Sequence, residues 1–217
     1  MFIYRIPCGP IHTNSYLMEK TPENLAWVVD PAEGGPILKM LQHHGLILSG
    51  ILLTHGHFDH ILGVNELLHR FPDCTLYIHP ADQPCLFDAT MNGSNNFFTP
   101  YTLSSAIQTE AYPQELILGG EVFEIIETPG HTPGSVTIQN EEMMFTGDFL
   151  FKDTIGRTDF QRSSPLDMQT SLKKMIFRMK NKTTDTIIYP GHYEESAWLS
   201  ELQSNPFLAR IAKNMGQ

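Results

Sequence analysis

Between residues 52 and 60 the chain reads LLTHGHFDH, which spends three of its ten histidines in six positions and sets an aspartate between the last two. His55 and His57 alternate about Gly56, so in extended backbone both rings project to one side. A turn into a following helix then carries Asp59 and His60 around to join them. Gly56 removes a side chain where the backbone must turn, and Asp59 near a helix start is favoured by the dipole. Three further candidates follow apolar runs ending in glycine: His131 in ETPGHTPGS, Asp148 in FTGDF and His192 in IIYPGH.

Any one of these histidines is more often a surface or hydrogen-bonded core group than a ligand, and a lone Asp after TG is more often a turn residue or cap. The cluster resists that reading. His55, His57, Asp59, His60, His131, Asp148 and His192 make seven nitrogen and oxygen donors. That exceeds one tetrahedral zinc and suits two divalent metal ions sharing a carboxylate, zinc first, with iron and manganese open to the same ligands. Metals so held lower the pKa of water from about 15.7 toward 7 and stabilise a developing oxyanion, which gives hydrolysis without a Ser or Cys nucleophile. Asp59 and Asp148 are the expected catalytic carboxylates, each as a ligand, Asp59 also orienting the attacking water.

The elements that must position these residues read as short strands in MFIYRI, SYLME and LAWVVD, broken by Gly, Pro and Asn, which suggests an antiparallel sheet. PILKMLQHHG has helical periodicity stopped at Gly45, and GILLT delivers the chain to the first histidines. DHILGVNELLHRF fits one amphipathic helix from about Asp59. TLYIH is a further strand and PADQPCLFDA a short helix with Pro80 near its start. Residues 88–115 lose periodicity and read as a long loop or partly helical insertion over the site. Strands return in EVFEIIET, SVTIQN and EMMFTGD, then the helix PLDMQTSLKKMIFRMK, the strand TDTIIYP and a helical tail from about Glu194. Two strand-rich halves each followed by helices predict an α/β chain of four layers, an αββα sandwich, as one domain over 1–217.

With 217 residues, 41% of them apolar, the chain can bury a large core, and its formal charge of −10 argues against a nucleic-acid partner. MFIYRIPCGP meets Pro7 and Gly9 before a secretory h-region forms, and no run reaches the roughly 18 apolar residues of a membrane span. A cytoplasmic protein without a membrane partner is expected. Cys8, Cys74 and Cys85 show no CxxC spacing and read as free thiols, Cys74 and Cys85 as small buried apolar groups. His12 reads as a surface turn residue, His43 and His44 as complements to a helix dipole, and His69 and His79 as structural.

The set THGHFDH, GHTPGS, TGD and YPGH, in order between His12 and Phe207, resembles the metallo-β-lactamase superfamily and within it the glyoxalase II branch of dinuclear hydrolases. The resemblance implies the αββα fold, a first metal on His55, His57 and His131, a second on Asp59, His60 and His192, and Asp148 as the bridge. TGDFLFKDTIGRTDF is similar to the family segment in which a basic residue after the Gly, here Arg157, helps hold the glutathione portion of the substrate. Long family members carry a Tyr two places beyond it, where this chain has Asp159. They also add a helical C-terminal domain, whereas 25 residues follow His192 here, and GHYEES replaces the usual Gly and Pro after the last His.

The resemblance therefore implies a short-form, glyoxalase II-like metallohydrolase cleaving a small-molecule thioester such as a hydroxyacylglutathione. A mononuclear iron persulfide dioxygenase is the chief rival, since relatives of that kind share THxHxDH and GRTDF. A β-lactamase is weakened by the expected lack of a secretory signal, and a nuclease by the acidic charge. A non-enzymatic metal-binding module must explain why the donors are not the closed, Cys-rich set of structural zinc.

Overall fold

In the computed structural model, which describes residues 1–182 and 184–214, apolar residues at alternate positions set the layering. The first sheet runs in the order β1 (Phe2–Cys8), β2 (Thr13–Lys20), β3 (Leu25–Val29), β4 (Ile47–Leu52), β5 (Thr75–Tyr77). Along β2 and β3, Leu17 and Val28 face outward to helices α1 (Gly34–His44) and α3 (Val64–Arg70), while Tyr16, Met18, Trp27 and Val29 face inward. That period of two lets one sheet bury both faces. β1, β2 and β3 pair antiparallel, as MFIYRI, SYLME and LAWVVD led one to expect, while β3, β4 and β5 are parallel, so the whole sheet is mixed.

DHILGVNELLHRF does not form one helix. It divides into α2 (Phe58–Ile61) and α3, with Leu62 and Gly63 between. The Gly63 amide donates to Pro31 O at 2.8 Å, and a Cβ at Gly63 would lie 2.8 Å from the backbone of Glu33 and Gly34. The close approach of the β3–α1 connection turns the chain where periodicity alone would continue it.

PADQPCLFDA contains a single 3₁₀ segment, Gln83–Phe87, with Pro84 rather than Pro80 in its first turn. The insertion 88–115 holds the short helix α4 (Ser94–Phe97), and near its end Glu110 pairs beside Tyr77, covering the edge of β5. Its last residue opens β6 (Glu115–Leu118), a strand the pattern did not suggest. Gly119 and Gly120, both at positive φ, turn it into β7 (Glu121–Glu127).

The second sheet continues through β8 (Val136–Gln139) and β9 (Met143–Gly147); β10 (Leu150–Phe151) and β11 (Thr154–Ile155) form a small separate ribbon. Helix α5 (Pro165–Met179) is capped by the Ser164 hydroxyl, which accepts from the Asp167 amide. Then come β12 (Ile187–Pro190), β13 (Ser196–Ala197), α6 (Trp198–Ser204) and α7 (Pro206–Asn214), giving the order β13-β12-β9-β8-β7-β6. Met168, Met175 and Met179 of α5 pack with Trp198, Leu208 and Ile211 on the outer face of this sheet.

Between the sheets lie Tyr16, Trp27 and Leu52 from one side and Phe123, Val136 and Phe145 from the other. The αββα sandwich is thus the observed architecture. Parallel pairing of β3 with β4 and of β9 with β12 delivers their carboxyl ends to one edge, and β7, two antiparallel steps from β9, ends there too.

Candidate metal centre

Every one of the seven donor residues sits at that edge. Thr54 and His55 follow β4, His131 follows β7, Asp148 follows β9 and His192 follows β12, while Asp59 and His60 stand on α2. The two sheets are joined beneath them by Val136 N to Thr54 O at 2.9 Å and Asn14 N to Gly191 O at 2.7 Å. Gly56 is required by crowding: a Cβ there would lie 2.6 Å from Cys85 Cβ.

The donors form two groups of three. In the first, His57 Nδ1 lies 3.1 Å from His55 Nε2 and 2.8 Å from His131 Nε2. In the second, Asp59 Oδ2 lies 3.2 Å from His60 Nε2 and 3.3 Å from His192 Nε2. Asp148 stands between them: its Oδ2 is 3.3 Å from His131 and 3.6 Å from His192, and its Oδ1 is 3.4 Å from His60 Nε2.

Proton accounting shows that these groups fit metal ions. Asp30 Oδ2 lies 2.9 Å from His60 Nδ1, and Arg157 O lies 2.9 Å from His131 Nδ1. Thr54 gives its own hydroxyl proton to Asp30 at 2.6 Å, so its oxygen accepts from His55 Nδ1 at 3.1 Å. Each neutral ring therefore carries its proton on Nδ1 and turns a bare Nε2 lone pair inward. His57 Nδ1 can donate to one of its two facing nitrogens, not both. His60 Nε2 and Asp148 Oδ1 are buried and have no hydrogen-bond partner. Lone pairs aimed at one another at these distances are satisfied by cations, and imidazole with carboxylate suits zinc, iron or manganese.

The electrostatics agree at His55, His57, Asp59 and Asp148. Burial, reinforced by neighbouring imidazoles, holds His55 well below its ordinary value and takes His57 down to about 3, so both rings are neutral, as ligation requires. Burial would raise Asp59 and Asp148, but the surrounding histidines outweigh it and keep both carboxyls well below the usual range. His60 and His192 move the other way: burial opposes their protonation, but the carboxylates around them prevail, so at these two rings a metal must displace a proton.

Four residues that support this arrangement carried no reading from the sequence. Asp30 buttresses His60; Thr54 bridges Asp30 and His55; the Thr13 hydroxyl donates to Asp59 Oδ2 at 2.7 Å. Asp82, fully buried, accepts from Gly56 N at 3.0 Å, Gly134 N at 3.0 Å and Thr132 Oγ1 at 2.6 Å, tying the first histidine loop to the second. Asp30 had a usable signal, since it ends the apolar strand LAWVVD as Asp148 ends another.

His57, Asp59, His131, Asp148 and His192 open into a pocket of about 590 Å³. Arg157 lines it, but its guanidinium is paired with both oxygens of Asp159 at 2.9 and 2.8 Å and lies over the Phe160 ring at 4.6 Å. His12 is exposed, and Cys8, Cys74 and Cys85 are buried free thiols. Among the described residues no helix is long and apolar enough to cross a membrane.

Comparison with known proteins gives a consistent neighbourhood. The family model of the metallo-beta-lactamase superfamily matches residues 8–192. The hydroxyacylglutathione hydrolase GloC of Haemophilus influenzae is 32% identical over 96% of this chain and 98% of its own length. The crystal structure of BLEG-1 B3 metallo-beta-lactamase is 32% identical, covers 95% of this chain and 99% of that one, and superposes with a TM-score of 0.84. The structure of TTHA1623 in a di-iron-bound form is 30% identical, with 94% and 100% coverage and a TM-score of 0.81.

Proposed function

Because the chain belongs to the metallo-β-lactamase superfamily, we propose that it is a dinuclear metallohydrolase acting as one unit on the carbonyl of a thioester, with a hydroxyacylglutathione as the leading substrate. The observation that carries the dinuclear reading is Asp148, whose one carboxylate reaches His131 of one donor group and His60 and His192 of the other. His55, His57 and His131 are assigned to the first ion, Asp59, His60 and His192 to the second, and Asp148 to both. Support for acyl chemistry comes from the names of the two relatives: one hydrolyses a thioester, the other a lactam, and both reactions are attack of water on an acyl carbon.

Bound metals supply a nucleophilic water near neutral pH and charge stabilisation for the developing oxyanion. The chain's own residues do the rest. Asp59, fixed by Thr13, presents its carboxylate toward the pocket to orient that water. His60 is locked by Asp30, so its ring cannot rotate away during turnover. In the reaction the water oxygen forms the new C–O bond, the C–S bond breaks, and the proton released leaves with the thiol. Arg157 is assigned to the rim, where an anionic part of the substrate would compete with Asp159 for its guanidinium.

The test is hydrolysis of S-lactoylglutathione and of the chromogenic lactam nitrocefin by protein of quantified metal content, with and without chelator. Two metals per chain and a chelator-sensitive kcat/KM above about 10⁴ M⁻¹s⁻¹ on the thioester support the reading. Preference for nitrocefin moves the substrate to lactams. One iron per chain with oxygen uptake on glutathione persulfide makes the protein a dioxygenase instead.

A further inference from the structure

The pocket wall beyond the donor residues is built largely by the insertion, whose Thr90, Met91, Asn92, Gly93, Asn96 and Phe97 face it. This segment is held firmly. Asn92, fully buried, donates its side-chain amide to Cys85 O at 3.0 Å and Tyr101 O at 2.9 Å and accepts from Ser94 N at 2.9 Å. Its own carbonyl takes the Phe58 amide at 3.0 Å, which ties the wall to the helix that carries Asp59.

An aromatic track runs along the wall. The Phe160 ring centroid is 5.6 Å from that of His57 and 5.7 Å from that of His131, and Phe97 lies 6.0 Å farther out. Phe97 is 64% exposed, and Tyr193 and Ile11, across the mouth, are 65% and 51% exposed. These are large apolar side chains left in water beside a buried polar centre.

The charges of the pocket are already spoken for. Arg157 is closed on Asp159, and Arg162 donates to Ala81 O at 2.7 Å and to Cys85 Sγ, 3.7 Å from Asp82. Among the described residues no other Lys or Arg lines the pocket. A ligand on this wall is therefore matched by apolar area rather than by charge.

We propose that Phe97 and Phe160, carried by the insertion and by the segment after Asp148, form a specificity subsite for an uncharged aryl or alkyl group on the acyl carbon of the substrate. The acyl side is indicated because the track starts against the His57 and His131 rings, beside the reacting carbonyl. The inference rests on the acyl-hydrolase reading above and narrows its substrate class.

The test keeps the thiol constant and neutral. N-acetylcysteamine thioesters of acetate, hexanoate and phenylacetate are compared by kcat/KM. Binding of the matching ethyl and 2-phenylethyl thioethers, which cannot be hydrolysed, is measured on the metal-loaded protein by calorimetry. At roughly fourfold per buried methylene, phenylacetyl turnover should exceed acetyl by at least about tenfold, and the phenylethyl thioether should bind correspondingly tighter. Phe97→Ala should cut both ratios at least threefold. Phe177→Ala, at a phenylalanine 60% exposed on α5 outside the pocket, should leave them unchanged. Equal turnover of all three esters with equal binding of the thioethers overturns the subsite. Preferential binding of the phenylethyl thioether without turnover of any ester supports the subsite and removes the thioesterase reading.

Discussion

Asp30 Oδ2 lies 2.9 Å from Nδ1 of His60, and the opposite nitrogen of that buried ring faces Asp59 and Asp148 without a hydrogen bond. The carboxylate fixes both the tautomer and the angle of the ring, and outer partners of this kind typically affect metal affinity by about 10–100-fold. Asp30→Ala should therefore weaken the second metal by that factor while the first remains bound. Competition titration against a chelating dye, with circular dichroism to confirm the fold, checks this. Two tight metals in the variant would take Asp30 out of the centre.

Asp82 does a different job. It makes no hydrogen bond to a side chain of the seven donors yet receives three from the loops that bear His55 and His131. Asp82→Ala strands the Gly56 and Gly134 amides in a buried place, at a cost of at least about 2 kcal/mol. The urea midpoint of metal-free protein should fall accordingly. His60→Ala, by contrast, removes a donor from a crowded set and should lower metal content and turnover together with the fold retained. An unchanged midpoint for Asp82→Ala would show that water replaces the carboxylate.

That the seven candidate donors would come together was legible because each follows an apolar strand or a tight Gly turn, a signal that is local in sequence. The sandwich was legible for a similar reason, since two strand-rich halves, each followed by helices, report two sheets covered on their outer faces. What escaped depends on partners far along the chain. Asp82 meets Gly134, 52 positions away, and Asp30 meets His60, 30 positions away. The break at Gly63 is set by Pro31 and Glu33, so no helical periodicity around it could reveal it. The pairing of Arg157 with Asp159 is local but depends on side-chain direction, which spacing does not fix.

Burial pushes the thiols of Cys74 and Cys85 up to about 12 from an ordinary 9. The folded chain holds these protons where the unfolded chain releases them. Their contribution to stability is thus complete below about pH 9 and declines as pH rises from there through 12. The urea midpoint should be lower at pH 10 than at pH 8, and Cys74→Ala should narrow the gap. An equal midpoint at both pH values would mean that the thiols are more open to water than the structure shows.

Arg157 and Asp159 set the charge at the pocket rim as a pair. The bidentate contact raises the affinity of the guanidinium for its proton and lowers that of the carboxyl, Asp159 and Arg157 being the principal cause in each case, so both stay charged and largely cancel. An anionic substrate must compete with Asp159 for the same fork. Arg157→Ala should then raise KM for S-lactoylglutathione by no more than about fivefold, with kcat nearly unchanged, because an exposed ion pair contributes equally to ground and transition states. Asp159→Asn frees the fork and should lower KM for the same substrate, while leaving the neutral N-acetylcysteamine esters unaffected. A tenfold or larger rise in KM for Arg157→Ala would mean that the substrate displaces Asp159 completely. The rim, rather than the aromatic wall, would then dominate selection.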